Sequence, residues 1–186
     1  MQSVMTRTAT LRAPSGSMTD VFACARAQIY YNSKRKPLAQ VKRETGCSHI
    51  INGYLFNGSF QPVGWTVIDG KVISRDAYQD WGISIGSDGK PQMLTDRGGS
   101  FLSGVPLLKN GAKLERSLTP DVARSAARTA VGWMPDGRIC LWCDKTSLTR
   151  EQLQNKLLDL GVADALIEQV GVGRHAVVAA EAAHEV

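Results

Sequence analysis

Residues 127–143 read ARTAVGWMPDGRICLWC, and this stretch decides the fold class. Two runs of small, β-branched and aromatic residues, Ala127 to Met134 and Arg138 to Cys143, flank Pro135-Asp136-Gly137. Proline fixes φ and Asp-Gly tolerates tight reversal, so the stretch predicts a β-hairpin. The same pattern recurs upstream. Gly64 to Ile68 and Lys71 to Ser74 flank Asp69-Gly70; Val105 to Lys109 and Ala112 to Glu115 flank Asn110-Gly111. Trp81 to Ile85 and Gln92 to Thr95 flank a turn at Ser87-Asp88-Gly89-Lys90. Hairpins in succession predict an α+β fold with a twisted, mostly antiparallel or mixed sheet and a few short helices packed on it.

Working outward, Thr149 opens the clearest helix, with Gln152 three residues on as a capping box and Gly161 as its stop. Leu153, Leu157 and Leu160 line one face of it. Pro37 to Thr45 reads as a helix ended by Gly46, and Thr119-Pro120-Asp121 opens a short one. Asp20 to Tyr31 and His49 to Phe56 read as strands. Val162 to Val170 fits a strand or a short helix, and the Ala-rich end, AVVAAEAAHEV, reads as helical or frayed. No internal repeat is visible.

The 186 residues are 43% hydrophobic, enough for one core, and one domain fits better than two. The expected organisation is a disordered extension over 1–17, a domain over 18–170 and a divergent tail over 171–186. No apolar run reaches membrane-spanning length and no signal-type stretch opens the chain, so a cytoplasmic protein, or one released on lysis, is expected. A net charge of +5 favours anionic ligands, yet the only basic cluster, Lys34-Arg35-Lys36, has no aromatic ladder and reads as a solvated turn. No specific nucleic-acid partner follows. Cys140 and Cys143 have the spacing of half a zinc site, but no second Cys pair exists; buried thiols are expected, with no metal and no cofactor. His49 reads as a packed strand residue, while His175 and His184 lie in the tail.

Five segments, taken in order, resemble the phosphodiester glycosidase family, which includes the enzyme that uncovers mannose 6-phosphate. They are Ile51-Asn52-Gly53-Tyr54-Leu55-Phe56; Pro62-Val63-Gly64 with Ile68-Asp69-Gly70-Lys71; Ser103 to Gly111; Arg128-Thr129-Ala130-Val131-Gly132 with Asp136-Gly137-Arg138; and the helix of Thr149 to Gly161. The overall sequence also resembles versions of the domain encoded by phages of gut bacteria. Where family members continue with Leu-Asp-Gly-Gly-Gly-Ser, this chain reads Ile167-Glu168-Gln169-Val170-Gly171-Val172. The glycine-rich loop whose N–H groups could cradle an anion is therefore missing.

The resemblance implies hydrolysis of a sugar-1-phosphodiester, on bacterial cell-wall or phage-related glycopolymers. Such chemistry needs a cation on the phosphate and a carboxylate as base or nucleophile. Arg128, with its bidentate fork, is the implied phosphate ligand; Thr129, Asn52 and Gly53 are implied substrate contacts. Asp96 and Arg97, in Thr95-Asp96-Arg97-Gly98-Gly99, are candidates for the same cleft, Asp96 as the catalytic carboxylate. The missing glycine loop weighs toward a truncated or rearranged copy with no activity, and toward a second reading. In it the chain is an inactive binding module for a phosphorylated sugar or nucleotide signal, such as a phage anti-defence sponge. The expected partner in both is an anionic small molecule, with no membrane. An uncovered sheet edge at the C-terminus would favour a homo-oligomer.

Overall fold

The computed structural model describes residues 10–11, 17–53, 55–57, 59, 61–76, 80–95, 97–115, 117–118, 120–170 and 176–182. In chain order the elements begin β1 (Thr10–Leu11), β2 (Ser17–Phe22), β3 (Cys24–Tyr31), α1 (Leu38–Thr45), β4 (His49–Gly53), β5 (Leu55–Phe56) and β6 (Pro62–Val63). They continue with β7 (Trp65–Ile68), β8 (Lys71–Arg75), β9 (Gly82–Ile85), β10 (Pro91–Leu94), β11 (Ser100–Ser103), β12 (Val105–Lys109) and β13 (Ala112–Lys113). Then come α2 (Pro120–Ala123), β14 (Ala126–Trp133), β15 (Ile139–Leu148), α3 (Arg150–Asp159), β16 (Asp164–Val170) and β17 (Ala176–Ala182).

The hairpin of residues 127–143 forms the centre of the largest sheet, ordered β1-β2-β15-β14-β16-β12-β13. A second sheet runs β10-β9-β11-β7-β8, a third β3-β17-β4, and β5 pairs with β6. Every ladder among the described residues is antiparallel. The turn signals work as their chemistry requires. Asp69-Gly70 (φ 49° and 77°) and Asn110-Gly111 (φ 51° and 74°) place two successive residues in the left-handed region that a two-residue hairpin turn demands.

The large sheet is buried on both faces, and strand alternation sorts its side chains. Val131, Ile139, Leu141 and Leu166 face the β3 and β9–β11 strands, in one cluster with Ala27, Ile29 and Ile83. Ala130, Cys140, Trp142 and Ala165 face α3, packed with Leu153 and Leu157. The capping box of α3 is complete: the Thr149 hydroxyl accepts from Gln152 N–H and the Gln152 side chain accepts from Thr149 N–H. Leu160 packs only partly against this core. His49 stacks on Phe22 with ring centroids 3.8 Å apart, as a packed strand residue should. All four cysteines are free thiols; Cys140 is buried on the α3 side, while Cys143 is only partly buried.

Two local expectations are corrected and one open alternative is decided. The run Asp20 to Tyr31 is not one strand: the chain leaves the large sheet after Phe22 and enters the three-stranded sheet at Cys24. An unbroken β-rich run carries no mark of such a sheet change. The Ala-rich end is not helical; Ala176–Ala182 is the central strand between β3 and β4. Backbone pairing on both sides overrides alanine's helical preference there. The segment 162–170, open between strand and helix, is a strand from Asp164 that pairs with both β12 and β14. Residues read as an extension also pair, through Thr10↔Asp20 and Leu11↔Thr19. No described helix is long and apolar enough to cross a membrane.

Candidate functional site

Three strand ends meet at one corner of the molecule. β14 carries Arg128 and Thr129 near its start, β4 ends there with Asn52 and Gly53, and β16 ends opposite Arg128 at Val170. The Thr129 hydroxyl, 4% exposed, donates to the Asn52 carbonyl at 3.1 Å, which ties the large sheet to the three-stranded one. Asn52 and Gly53 pair with Val177 and Ala176, so β17 braces them from the far side. Across the ladder, Thr129 stands opposite Gln169 and Arg128 opposite Val170.

The register of β16 slips at this corner: Thr129 pairs with Gln169 but Ala130 pairs with Ile167. Glu168 is therefore the extra residue of a β-bulge in the backbone of β16. Sequence reading passed over it.

Arg128 points elsewhere. Neighbouring strand residues face opposite sides, and the guanidinium enters the α3 side of the sheet. Its Nε donates to the Leu148 carbonyl at 2.9 Å and its Nη2 donates to the Arg124 carbonyl. The residue is 1% exposed, and burial together with the nearby Arg124 charge lowers its pKa. The fork thus clasps the chain after α2 to the end of β15, across a bulge between Ala126 and Arg128. Opposite it, Asp144 is also buried, its Oδ1 accepting from the Thr146 N–H at 2.8 Å and hydroxyl at 2.6 Å. The structure brings Thr129 to Asn52 and Gly53 but turns the Arg128 guanidinium away from them.

Arg97 lies in the connection between β10 and β11 of the second sheet. Its Cζ is 4.6 Å from the centre of the Trp65 ring, and it pairs loosely with Asp80 at 3.7 Å. Asp96 lies outside the described residues, as do His175, His184 and, in the segment where the glycine-rich loop would stand, Gly171 and Val172. No contact of Arg97 with the Asn52–Thr129 corner occurs among the described residues. Nor do they contain a group of three or more His, Cys, Asp or Glu side chains placed to hold a metal.

No protein-family model matches the chain, and no curated protein matches it. Solved structures do. A hypothetical protein from Synechocystis superposes with a TM-score of 0.72 at 11% identity, covering 90% of this chain and 59% of that one. The zebrafish N-acetylglucosamine-1-phosphodiester alpha-N-acetylglucosaminidase catalytic domain, auto-inhibited by its pro-peptide, superposes with a TM-score of 0.68 at 17% identity, covering 93% of this chain and 85% of that one. The fold of this chain is similar to that of a phosphodiester glycosidase catalytic domain.

Proposed function

We propose that the chain hydrolyses a sugar-1-phosphodiester at the corner built from Asn52, Thr129 and the end of β16. The observation that carries this reading is the Thr129–Asn52 bond. It joins two motifs 77 residues apart, both part of the resemblance, within a fold similar to that of a phosphodiester glycosidase catalytic domain. In the reaction the anomeric C–O bond breaks and the phosphate leaves as an anion. A carboxylate serves as base toward water or as nucleophile. Two residues are candidates for that role: Asp96, and Glu168, the extra residue of the backbone bulge beside Thr129. The Asn52 carboxamide offers both a donor and an acceptor to the sugar or its phosphate.

Two observations favour the second reading, a binding module without turnover. The one arginine of the motif is engaged by the carbonyls of Leu148 and Arg124. Gln169 and Val170 run in register with β14 where a glycine loop would open an anion cradle. One experiment separates the readings: release of UDP from UDP-N-acetylglucosamine, run beside thermal shifts with N-acetylglucosamine 1-phosphate. Turnover that vanishes in Glu168→Gln at unchanged melting temperature supports the enzyme. A thermal shift without turnover, abolished by Asn52→Ala, supports the module. Silence in both assays removes the corner as a site.

A further inference from the structure

A second hollow lies away from this corner. β3 is an edge strand of its sheet, and its Arg26 to Ile29 segment faces the turns of the β7–β11 sheet across a cleft of about 610 Å³. That volume falls in the range of small-ligand sites. A smaller hollow of about 270 Å³ shares Arg26 and Gln28 and prolongs it toward Glu44 and Glu181. Along β3, Asn52 aligns with Tyr30 through Val177, whereas Arg26 aligns with Glu181, so the cleft sits toward the opposite end of the strand.

The cleft has an apolar floor and a polar rim. Ile29 and Ile85, both buried, form the floor. The rim carries Arg26, Gln28, Asp69 and Asp88, and hydrogen bonds hold the last three. The Ser100 hydroxyl accepts from Asp69 N–H at 2.9 Å and donates to Asp69 Oδ1 at 3.3 Å. Asp88 Oδ1 accepts from Lys90 N–H at 3.0 Å, and Gln28 Nε2 donates to Cys47 Sγ at 3.3 Å. The edge itself is pinned where Ala27 N–H donates to the Gly89 carbonyl at 2.8 Å. These bonds use one oxygen of each carboxylate and leave Oδ2 of Asp69, Oδ2 of Asp88 and Oε1 of Gln28 as acceptors, beside the guanidinium donors of Arg26.

The balance of groups selects the ligand. Two carboxylates repel an anion, and Arg26 repels a cation. Acceptors and donors arranged around an apolar floor suit a molecule with hydroxyls at its rim and C–H groups on its face. We propose that the cleft between the β3 edge and the Asp69 and Asp88 turns binds a neutral oligosaccharide. Carboxylate oxygens accept its hydroxyls in pairs, Arg26 donates to its ring and hydroxyl oxygens, and Ile29 and Ile85 take its C–H face. The proposal rests on no part of the catalytic reading.

The test titrates chitotriose, maltotriose and laminaritriose into the ¹⁵N-labelled full chain. At least one trisaccharide shifts the amides of Gly86 to Gly89 and of Ser100. The double variant Gln28→Leu/Asp88→Asn weakens that trisaccharide about tenfold, the loss expected for charge-assisted hydrogen bonds. Should the double variant lose its native melting curve, the single exposed change Asp88→Asn is measured in its place. Pyrophosphate leaves the same amides unmoved, and Glu168→Gln leaves the titration unchanged, which separates this cleft from the corner. Three silent trisaccharides, a variant that binds like the native chain, or competition by pyrophosphate would each overturn the proposal.

Discussion

Replacing Arg128 by alanine distinguishes a ligand-binding arginine from one that holds the fold. The guanidinium is 1% exposed and donates to two main-chain carbonyls, Leu148 O and Arg124 O. A hydrogen bond from a charged donor contributes about 1.5–3 kcal/mol, so the two together contribute about 3–6 kcal/mol. Burying the charge offsets part of this, as its lowered pKa indicates. The expected net loss in Arg128→Ala is therefore about 3 kcal/mol. At about 2–4 °C per kcal/mol for a chain of this size, the melting temperature falls by about 6–12 °C. Arg128→Lys keeps the charge but has no planar fork to span both carbonyls, and its loss is intermediate. Urea denaturation followed by circular dichroism, with thermal melts alongside, measures both variants. A melting temperature for Arg128→Ala within about 2 °C of the native value would refute the clasp. If anion-dependent stabilisation disappeared at the same time, the guanidinium would serve a ligand.

Gly82→Ala should lower the urea midpoint by about 1–3 kcal/mol of stability, because its Cβ would stand 2.3 Å from the Leu102 carbonyl oxygen, a main-chain atom that cannot step aside. Thr149→Ala removes half of the capping box and should cost about 1 kcal/mol, read from the same denaturation curves. Burial pushes the Cys140 thiol up to about 12, so it stays protonated at neutral pH; mass spectrometry after brief iodoacetamide treatment should find Cys143 modified in the folded chain and Cys140 only after denaturation. Bonds from Lys36, Gln40 and Tyr30 hold the Glu44 carboxyl down at about 2. Because the folded pKa is depressed, the stabilisation is present above the ordinary carboxylate range and is lost as pH falls through about 2. In Lys36→Met, an NMR titration of Glu44 should move its midpoint back toward the ordinary carboxylate value.

Much of the candidate corner was legible because its residues sit in short motifs. Asn52-Gly53 and Arg128-Thr129 were singled out from the chain, and the fold places Thr129 against Asn52. The role implied for Arg128 was less legible, because a guanidinium fork fits main-chain carbonyls as well as phosphate oxygens. Only the direction of the side chain decides between them. The bulge at Glu168 was out of reach because a bulge is a property of two strands in register, and one strand's sequence does not contain its partner. The cleft beside β3 was out of reach for a related reason: its walls come from residues 26–29, 69, 85–89 and 99–100, brought together by packing between sheets.

By itself the sequence determined what local chemistry controls. Asn-Gly and Asp-Gly set the reversals, Thr149 and Gln152 set where α3 starts, and alternation along β14 and β15 set two buried faces. These outcomes depend on residues within a few positions of one another, so they survive without knowledge of the rest of the chain. Tertiary structure alone decided which strands pair, where the chain changes sheet at Ala23, and that the Ala-rich Ala176–Ala182 is an inner strand. Those choices follow from burying apolar faces and satisfying backbone N–H and C=O groups across segments more than a hundred residues apart, a balance settled by the whole molecule.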